Sequence, residues 1–421
     1  MTRNLERVLR LVPLALLAAI TTGVVMRRVR STGRRGEPYS AVSATPPVAV
    51  VAPETRRGLG APLPSMSALV PPAVRMLHGD RRRTHRAHGH LPREPNLAWT
   101  AALGAPIVTQ VVPSPDERLL VAASLGGSLV GLLRTGQPRW TVPLGDRIYA
   151  TAAVGDDGVF YVGSDAKKFV AVGPDGGVRW KLDVGAEADT AAAFAPDGTL
   201  VFAAGATVFA VRKGGDVAWR FRGRGKVFTA PAVMDDGTVV VGSQDHHVVA
   251  IRAGGALGWA VDLGHDVDGG PAVGDDGSIF VGTDGGEVVR LDKDGRVGWR
   301  VKVGGFVRGA LSLARNGDVL VGVYGPSPRV LRLVGDDGSE RGSYAVRGTG
   351  AREFGVHGGP LEDDDGALAF GTQDDQVTVV EADGSLRWSF RTGGDVDAPL
   401  TLLTDGTLLV GSEDGKVYAF R

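Results

Sequence analysis

The sequence predicts an all-β fold: an eight-bladed β-propeller with four-stranded blades, closed by pairing its N- and C-terminal strands, and preceded by a membrane-anchor helix and a disordered linker. Three observations carry this. The seven tryptophans, Trp99, Trp140, Trp180, Trp219, Trp259, Trp299 and Trp388, fall at intervals of 39 to 41 residues, except for a last gap of two periods. Glycine stands four residues before Trp in six of the seven cases, and the same offset from Gly338 puts the empty slot at Gly342, which makes eight units. Inside each unit short apolar runs alternate with Asp-Gly turns. A period near 40 residues containing several short strands marks a propeller blade.

Composition agrees. Of 421 residues 63 are Gly and 43% are hydrophobic, enough apolar surface for a core in a chain rich in turns. The absence of Cys excludes disulfides, thiolate metal sites, a thiol nucleophile and a lipid anchor on Cys. The zero net charge hides an asymmetry: residues 1–98 hold 16 Arg against 5 acidic groups, so a basic arm precedes an acidic body.

In chain order, residues 1–30 read as a signal or anchor segment. Arg3, Arg7 and Arg10 precede the uncharged stretch Leu11–Met26, and Arg27, Arg28 and Arg30 follow at once. Sixteen residues as a helix span roughly 24 Å, short for a full crossing and long for a signal-peptide core. Basic residues directly after the stretch disfavour translocation and leave the orientation weakly specified; an uncleaved anchor is expected, with the body on the periplasmic or extracellular face, and a cleaved export signal is the alternative. Residues 31–95, rich in Pro, Arg, Ala and Gly and without helical or strand periodicity, read as a disordered tether. Its cluster of His78, His85, His88 and His90 among Arg81, Arg82, Arg83 and Arg86 reads as a solvated, biased linker in preference to a metal site or a polyanion patch.

Residues 96–421 form the propeller. In the unit from Val267 to Arg300 the strands read Pro271-Ala-Val, Ile279-Phe-Val-Gly, Val288-Val-Arg-Leu and Val297-Gly-Trp-Arg, separated by Asp-Gly pairs in which Gly supplies the positive φ of two-residue primed turns. One Trp per unit reads as a structural peg packing each blade on the next, and Gly342 leaves one junction weaker. The last unit ends three strands in, at Arg421, whereas Trp99 has no strands before it. Residues 96–103 are therefore expected to complete the final blade as its outermost strand, which leaves no open edge.

The unit ending in Gly-x-x-x-Trp, followed by a Pro-Ala-Val strand and Val-Gly-Ser/Thr-x-Asp, resembles the PQQ-like propeller repeat family; Asp175 to Trp180, Gly215 to Trp219 and Asp383 to Trp388 are close matches. The resemblance implies the fold and two kinds of activity. Quinoprotein alcohol dehydrogenases of this family hold the quinone between a Trp and a disulfide of adjacent Cys, with Ca²⁺ on carboxylate and amide side chains and an Asp as base. Other members are non-enzymatic propellers of outer-membrane assembly. This chain has no Cys and only three Asn, at 4, 96 and 316, so neither quinone nor Ca²⁺ nor any other cofactor is expected.

Aligning the units gives one variable position at the start of the innermost strand: Val108, Tyr149, Asp189, Phe228, Asp268, Arg308, His357 and Asp397. Two residues on, the set is mostly small: Gln110, Thr151, Ala191, Ala230, Gly270, Ala310, Gly359 and Pro399. By the period-two rule the first set rings the channel mouth above a crowded axis. Asp268, Arg308, His357 and Asp397 form its polar arc, with Asp266 and Asp395 on the same face, Arg308 pairing to a neighbouring Asp, and Tyr149 and Phe228 opposite. The ring reads either as a docking face for a polar ligand or a partner's basic loop, or as ordinary exposed rim. No metal site and no catalytic set is expected. The function expected is a non-catalytic binding or assembly scaffold, monomeric, with protein partners, a membrane attachment and no nucleic acid; a quinoprotein oxidoreductase and an extracellular glycan-binding sensor are the alternatives.

Overall fold

Each repeat is a strongly twisted antiparallel sheet whose strands run outward from the axis, and eight such sheets are present, seven of four strands and one of five. The computed structural model describes residues 39–42, 74–347 and 354–421. The expected anchor at residues 1–30 and most of the expected tether lie outside them. Among the described residues no helix is long and apolar enough to cross a membrane.

The fifth blade shows the pattern: Gly269–Val273 innermost, then Ile279–Gly282, Glu287–Leu291 and Val297–Lys302 outermost. The second and third strands of every blade are Val-, Leu- and Ala-rich and almost wholly buried, because both faces lie against neighbouring blades. Ring closure occurs in the eighth blade. Leu97–Ala102 pairs antiparallel with Lys416–Phe420, Leu97 opposite Phe420 and Ala102 opposite Lys416, so the two chain ends complete one sheet.

The turns differ from the primed two-residue form. Gly277 N–H donates to the Gly274 carbonyl at 3.0 Å while Gly274 N–H donates to the Ser278 carbonyl at 2.8 Å, leaving three residues in the loop with only the last, Gly277, at positive φ (82°). This is a type I turn closed by a left-handed Gly. The Asp before that Gly holds the loop from within, since the Asp276 carboxylate accepts the Ser278 N–H at 2.9 Å. One left-handed residue, the Gly of each Asp-Gly pair, suffices for a three-residue loop of this kind.

The indoles explain the Gly-x-x-x-Trp spacing. The outermost strand of every blade carries a register shift just before the Trp position, as between Ala250 and Ile251 opposite Leu257 and Trp259; such a bulge re-aims the next side chain. The ring then lies on the left-handed Gly of the next blade's outer turn. A methyl built on Gly136, Gly176, Gly215, Gly255, Gly295 or Gly338 would come within 2.5–3.1 Å of Trp99, Trp140, Trp180, Trp219, Trp259 or Trp299 respectively. Indole N–H groups of Trp140, Trp180, Trp259 and Trp299 donate across the junction to the carbonyls of Pro174, Lys213, Lys293 and Gly335 at 2.8–3.0 Å. A methyl built on Gly384, the seat facing Gly342, would meet nothing within 4 Å. At the closing blade the outer turn is interrupted by the chain ends. There Trp388 donates to the Pro92 carbonyl at 2.7 Å, so the residues preceding Leu97 stand in for the missing hairpin.

Residues 74–95 correct the expectation of a disordered tether. They cross the end of the propeller opposite the ring and plug its axis. The innermost strands end in short, unpaired edges, and the plug supplies their partners: Arg75, Arg81, Arg82, Thr84 and His85 carbonyls accept from Val154, Val233, Val273, Leu313 and Glu362. Arg83 is fully buried, its guanidinium donating to the carbonyls of Leu77, Pro231, Ala191 and Ala192. His78 and His85 are buried and stacked at 4.1 Å, each ring bonded to an inner-strand carbonyl, Gly358 and Leu400, at 3.0 Å. The segment shows no periodicity because it is neither helix nor strand, and its order comes from saturating backbone groups of other blades. A second departure is a fifth strand, Ser40–Val42, antiparallel to the outermost strand of the third blade, Val217–Arg222.

Candidate functional site

The eight ring positions occupy one structural level. Val108, Tyr149, Asp189, Phe228, Asp268, Arg308, His357 and Asp397 are all half-buried, each flanked on both sides by buried residues, as the alternation of an inner strand requires. The next set, from Gln110 to Pro399, is buried or half-buried beneath them. Gln110 meets the plug from above: its amide accepts from the His78 N–H at 2.8 Å and donates to the Leu400 carbonyl at 2.9 Å.

Ring residues do not stand alone. Asp189, Asp268, Arg308 and Asp397 each neighbour the residue that follows Gly-Ser/Thr at the end of the preceding blade's second strand, 24 residues earlier. Gln244 reaches Asp268 at 3.5 Å, Gln373 donates to Asp397 at 3.1 Å, and Arg308 forks onto Asp284 at 3.1 and 3.3 Å. Arg308 thus pairs with an Asp of the preceding turn, its guanidinium also lying 4.6 Å from the centre of the Phe306 ring. Asp189 is bridged by Lys226 at 2.9 Å, and Lys226 also covers the Phe228 ring at 4.1 Å and reaches Glu187 at 3.0 Å. Asp266 meets His246 at 3.2 Å, and Arg147 lies 5.9 Å from the Tyr149 ring. The residues missed in the sequence are Asp165, Gln244, Asp284, Gln373 and Glu413, all directly after Gly-Ser/Thr. The 24-residue offset between that place and the ring is the signal that would have found the first four; Glu413 belongs to the same blade as Asp395 and Asp397.

Electrostatically the face is a crowd of carboxylates. Burial, then Asp397 and Asp375 beside it, push Asp395 up to about 7. Burial, then Asp397 and Asp395, do the same to Glu413, also to about 7. Asp268 rises to about 6 through burial and the charges of Asp284 and Asp266. Asp165 is raised by burial and by the Asp189 carboxylate beside it. One side-chain oxygen each of Asp165, Asp189 and Asp397 is buried without a hydrogen-bond partner.

The family model described as outer membrane protein assembly factor BamB matches residues 166–253 and 244–341. Over those residues, which make up less than half of the chain, the repeats are similar to that family. Solved structures similar to this propeller include BamB from Moraxella catarrhalis, 21% identical with a TM-score of 0.62 over 77% of this chain and 97% of that one. Quinohemoprotein alcohol dehydrogenase from Comamonas testosteroni is 14% identical, with a TM-score of 0.69 over 84% of this chain and 81% of that one. The computationally designed Ika8 protein is 17% identical, with a TM-score of 0.61 over 77% and 99%. At these identities the likeness is one of fold. No curated protein matches the sequence.

The parts by which the family's enzymes hold a quinone do not come together at this mouth. All seven Trp lie on outermost strands, most of them seated on a neighbouring blade's turn glycine, so none is available as a floor for a quinone, and the sequence has no Cys for the lid. The residues present do not fit that group.

Proposed function

We propose that this propeller is a non-catalytic binding scaffold acting outside the cytoplasm, and that its loop face holds a Lys- or Arg-rich segment of a protein partner. One observation carries the reading: Asp395, Asp397 and Glu413 are crowded together at the mouth, half-buried and mutually repelling, so that two of them are pushed up to about 7. A basic side chain entering there relieves the repulsion and converts it into affinity. The sealed opposite end favours docking over passage through the axis. Likeness to an outer membrane protein assembly factor supports a role in envelope assembly, with residues 1–30 as the attachment.

The test is capture from membrane extracts by the intact chain and by Asp395→Asn/Asp397→Asn/Glu413→Gln. The variant is expected to fold normally and to lose the retained partner at least tenfold, and the capture by the unaltered chain should weaken with salt. Equal capture by the variant would refute the reading. The alternative, a quinoprotein oxidoreductase, shares the fold of quinohemoprotein alcohol dehydrogenase but is opposed by the mouth, whose residues do not fit the quinone. Dye-coupled alcohol oxidation by the purified chain with quinone and Ca²⁺ would establish it in place of the first.

A further inference from the structure

On the plugged end, the structure divides the histidine cluster. His78 and His85 enter the axis, whereas His88 and His90 stay exposed over the turn Asp363–Asp365 of the seventh blade. Residues 89–91 lie along that turn: Asp364 N–H donates to the Gly89 carbonyl at 3.0 Å, Gly89 N–H to the Asp364 carboxylate at 2.6 Å, and Leu91 N–H to the Asp363 carboxylate at 2.9 Å. Asp363 is wholly buried, its second oxygen held by the N–H groups of Asp365 (3.0 Å) and Ala367 (2.9 Å). His90 Nδ1 meets Asp365 at 2.9 Å, and one donor atom from each of His90, Asp363 and Asp365 lies within 4.8 Å of the other two.

We propose that His90, Asp363 and Asp365 form a binding site for a divalent cation of the zinc type, which clips the exit of the axial plug onto the seventh blade. One imidazole and two carboxylates suit zinc, with water completing a four-coordinate shell. Donors on bonds of about 2.0 Å in a tetrahedron stand roughly 3.3 Å apart, and the present spacing brackets that value, so side-chain adjustment alone closes the site. The neighbouring cations are committed elsewhere: Arg315 binds Asp364 at 2.6 Å and Arg387 forks onto Glu381 at 2.7 and 2.8 Å. Asp364 is therefore neutralised, while Asp363 and Asp365 provide the two charges that balance the ion. The ligands come from segments some 270 residues apart, so binding an ion here favours the plugged state over any state in which residues 85–95 have lifted away.

The experiment is a calorimetric titration of the full, chelator-treated chain with zinc chloride, alongside His90→Ala, Asp365→Asn and the control His246→Ala, which alters a surface His at the opposite end. The unaltered chain and the control are expected to take up one equivalent with a dissociation constant in the micromolar range, and the two site variants to bind at least tenfold more weakly. Because His90 and Asp365 are exposed, both variants should melt like the parent without metal, which separates lost binding from lost folding. Zinc should also slow amide exchange across residues 85–95 in the parent and not in His90→Ala. Binding by His90→Ala with the parent's affinity, or no uptake by the parent below millimolar zinc, would overturn the proposal.

Discussion

Replacing Gly342 by Trp should stabilise the protein, although it introduces the largest side chain in place of the smallest. Gly342 occupies the slot that carries Trp elsewhere, a Cβ built on it would meet nothing within 4 Å, and the same holds for the seat opposite, Gly384, with φ at 84°. By analogy with Trp180, which donates to the carbonyl two residues before its seat, the new indole would reach the carbonyl of Ala382. The ring would remove roughly 100 Å² of apolar surface from water, since the existing indoles stay mostly half-buried, which at about 25 cal/mol per Å² is roughly 2.5 kcal/mol. The N–H bond adds about 1 kcal/mol, and fixing the side chain costs about the same. A net gain of about 2.5 kcal/mol should appear as a higher urea midpoint with an unchanged slope. The reverse change, Trp299→Gly, should lose about 3 to 5 kcal/mol by leaving the Gly338 seat empty. A Gly342→Trp protein no more stable than its parent would refute the claim that the indole and its seat form a modular junction.

Arg83→Ala should destabilise by roughly 3 kcal/mol, because removing the fully buried guanidinium leaves four carbonyls without a donor; Arg83→Met, similar in length but without donors, should recover little of it, as read from urea midpoints. The carboxyls raised on folding, Asp395 and Glu413, hold protons that the unfolded chain has released above about pH 4, so their contribution is complete below that pH and is lost as pH rises through about 7. Asp395→Asn with Glu413→Gln should flatten that decline. The histidines slope the other way: burial lowers His85 to about 4 and lowers His78 as well, so their contribution is present above about pH 6.5 and is lost on acidification through about 4. Amide exchange in residues 78–88 should therefore rise on lowering the pH through that window, ahead of exchange in the blades.

Much of the fold could be read from the chain because a propeller writes its geometry into a repeat. The Trp interval counts the blades, the Gly four residues earlier is the seat of the preceding blade's indole, and the truncated last unit with its orphaned first Trp requires the ends to meet. Half of the candidate face was equally legible, since one strand's alternation places Asp189, Asp268, Arg308, His357 and Asp397 on one level. The other half comes from the preceding blade, and an inter-blade contact such as Gln373 to Asp397 is invisible until the blades are stacked. The same holds for the plug. Nothing in residues 74–95 alone calls for order; Arg83, His78 and His85 are fixed by the unpaired inner edges of several blades, groups that exist only once the ring has closed. Local pattern determines a structure whose contacts are local or periodic. A segment that satisfies distant backbone groups takes its conformation from the tertiary fold that exposes them.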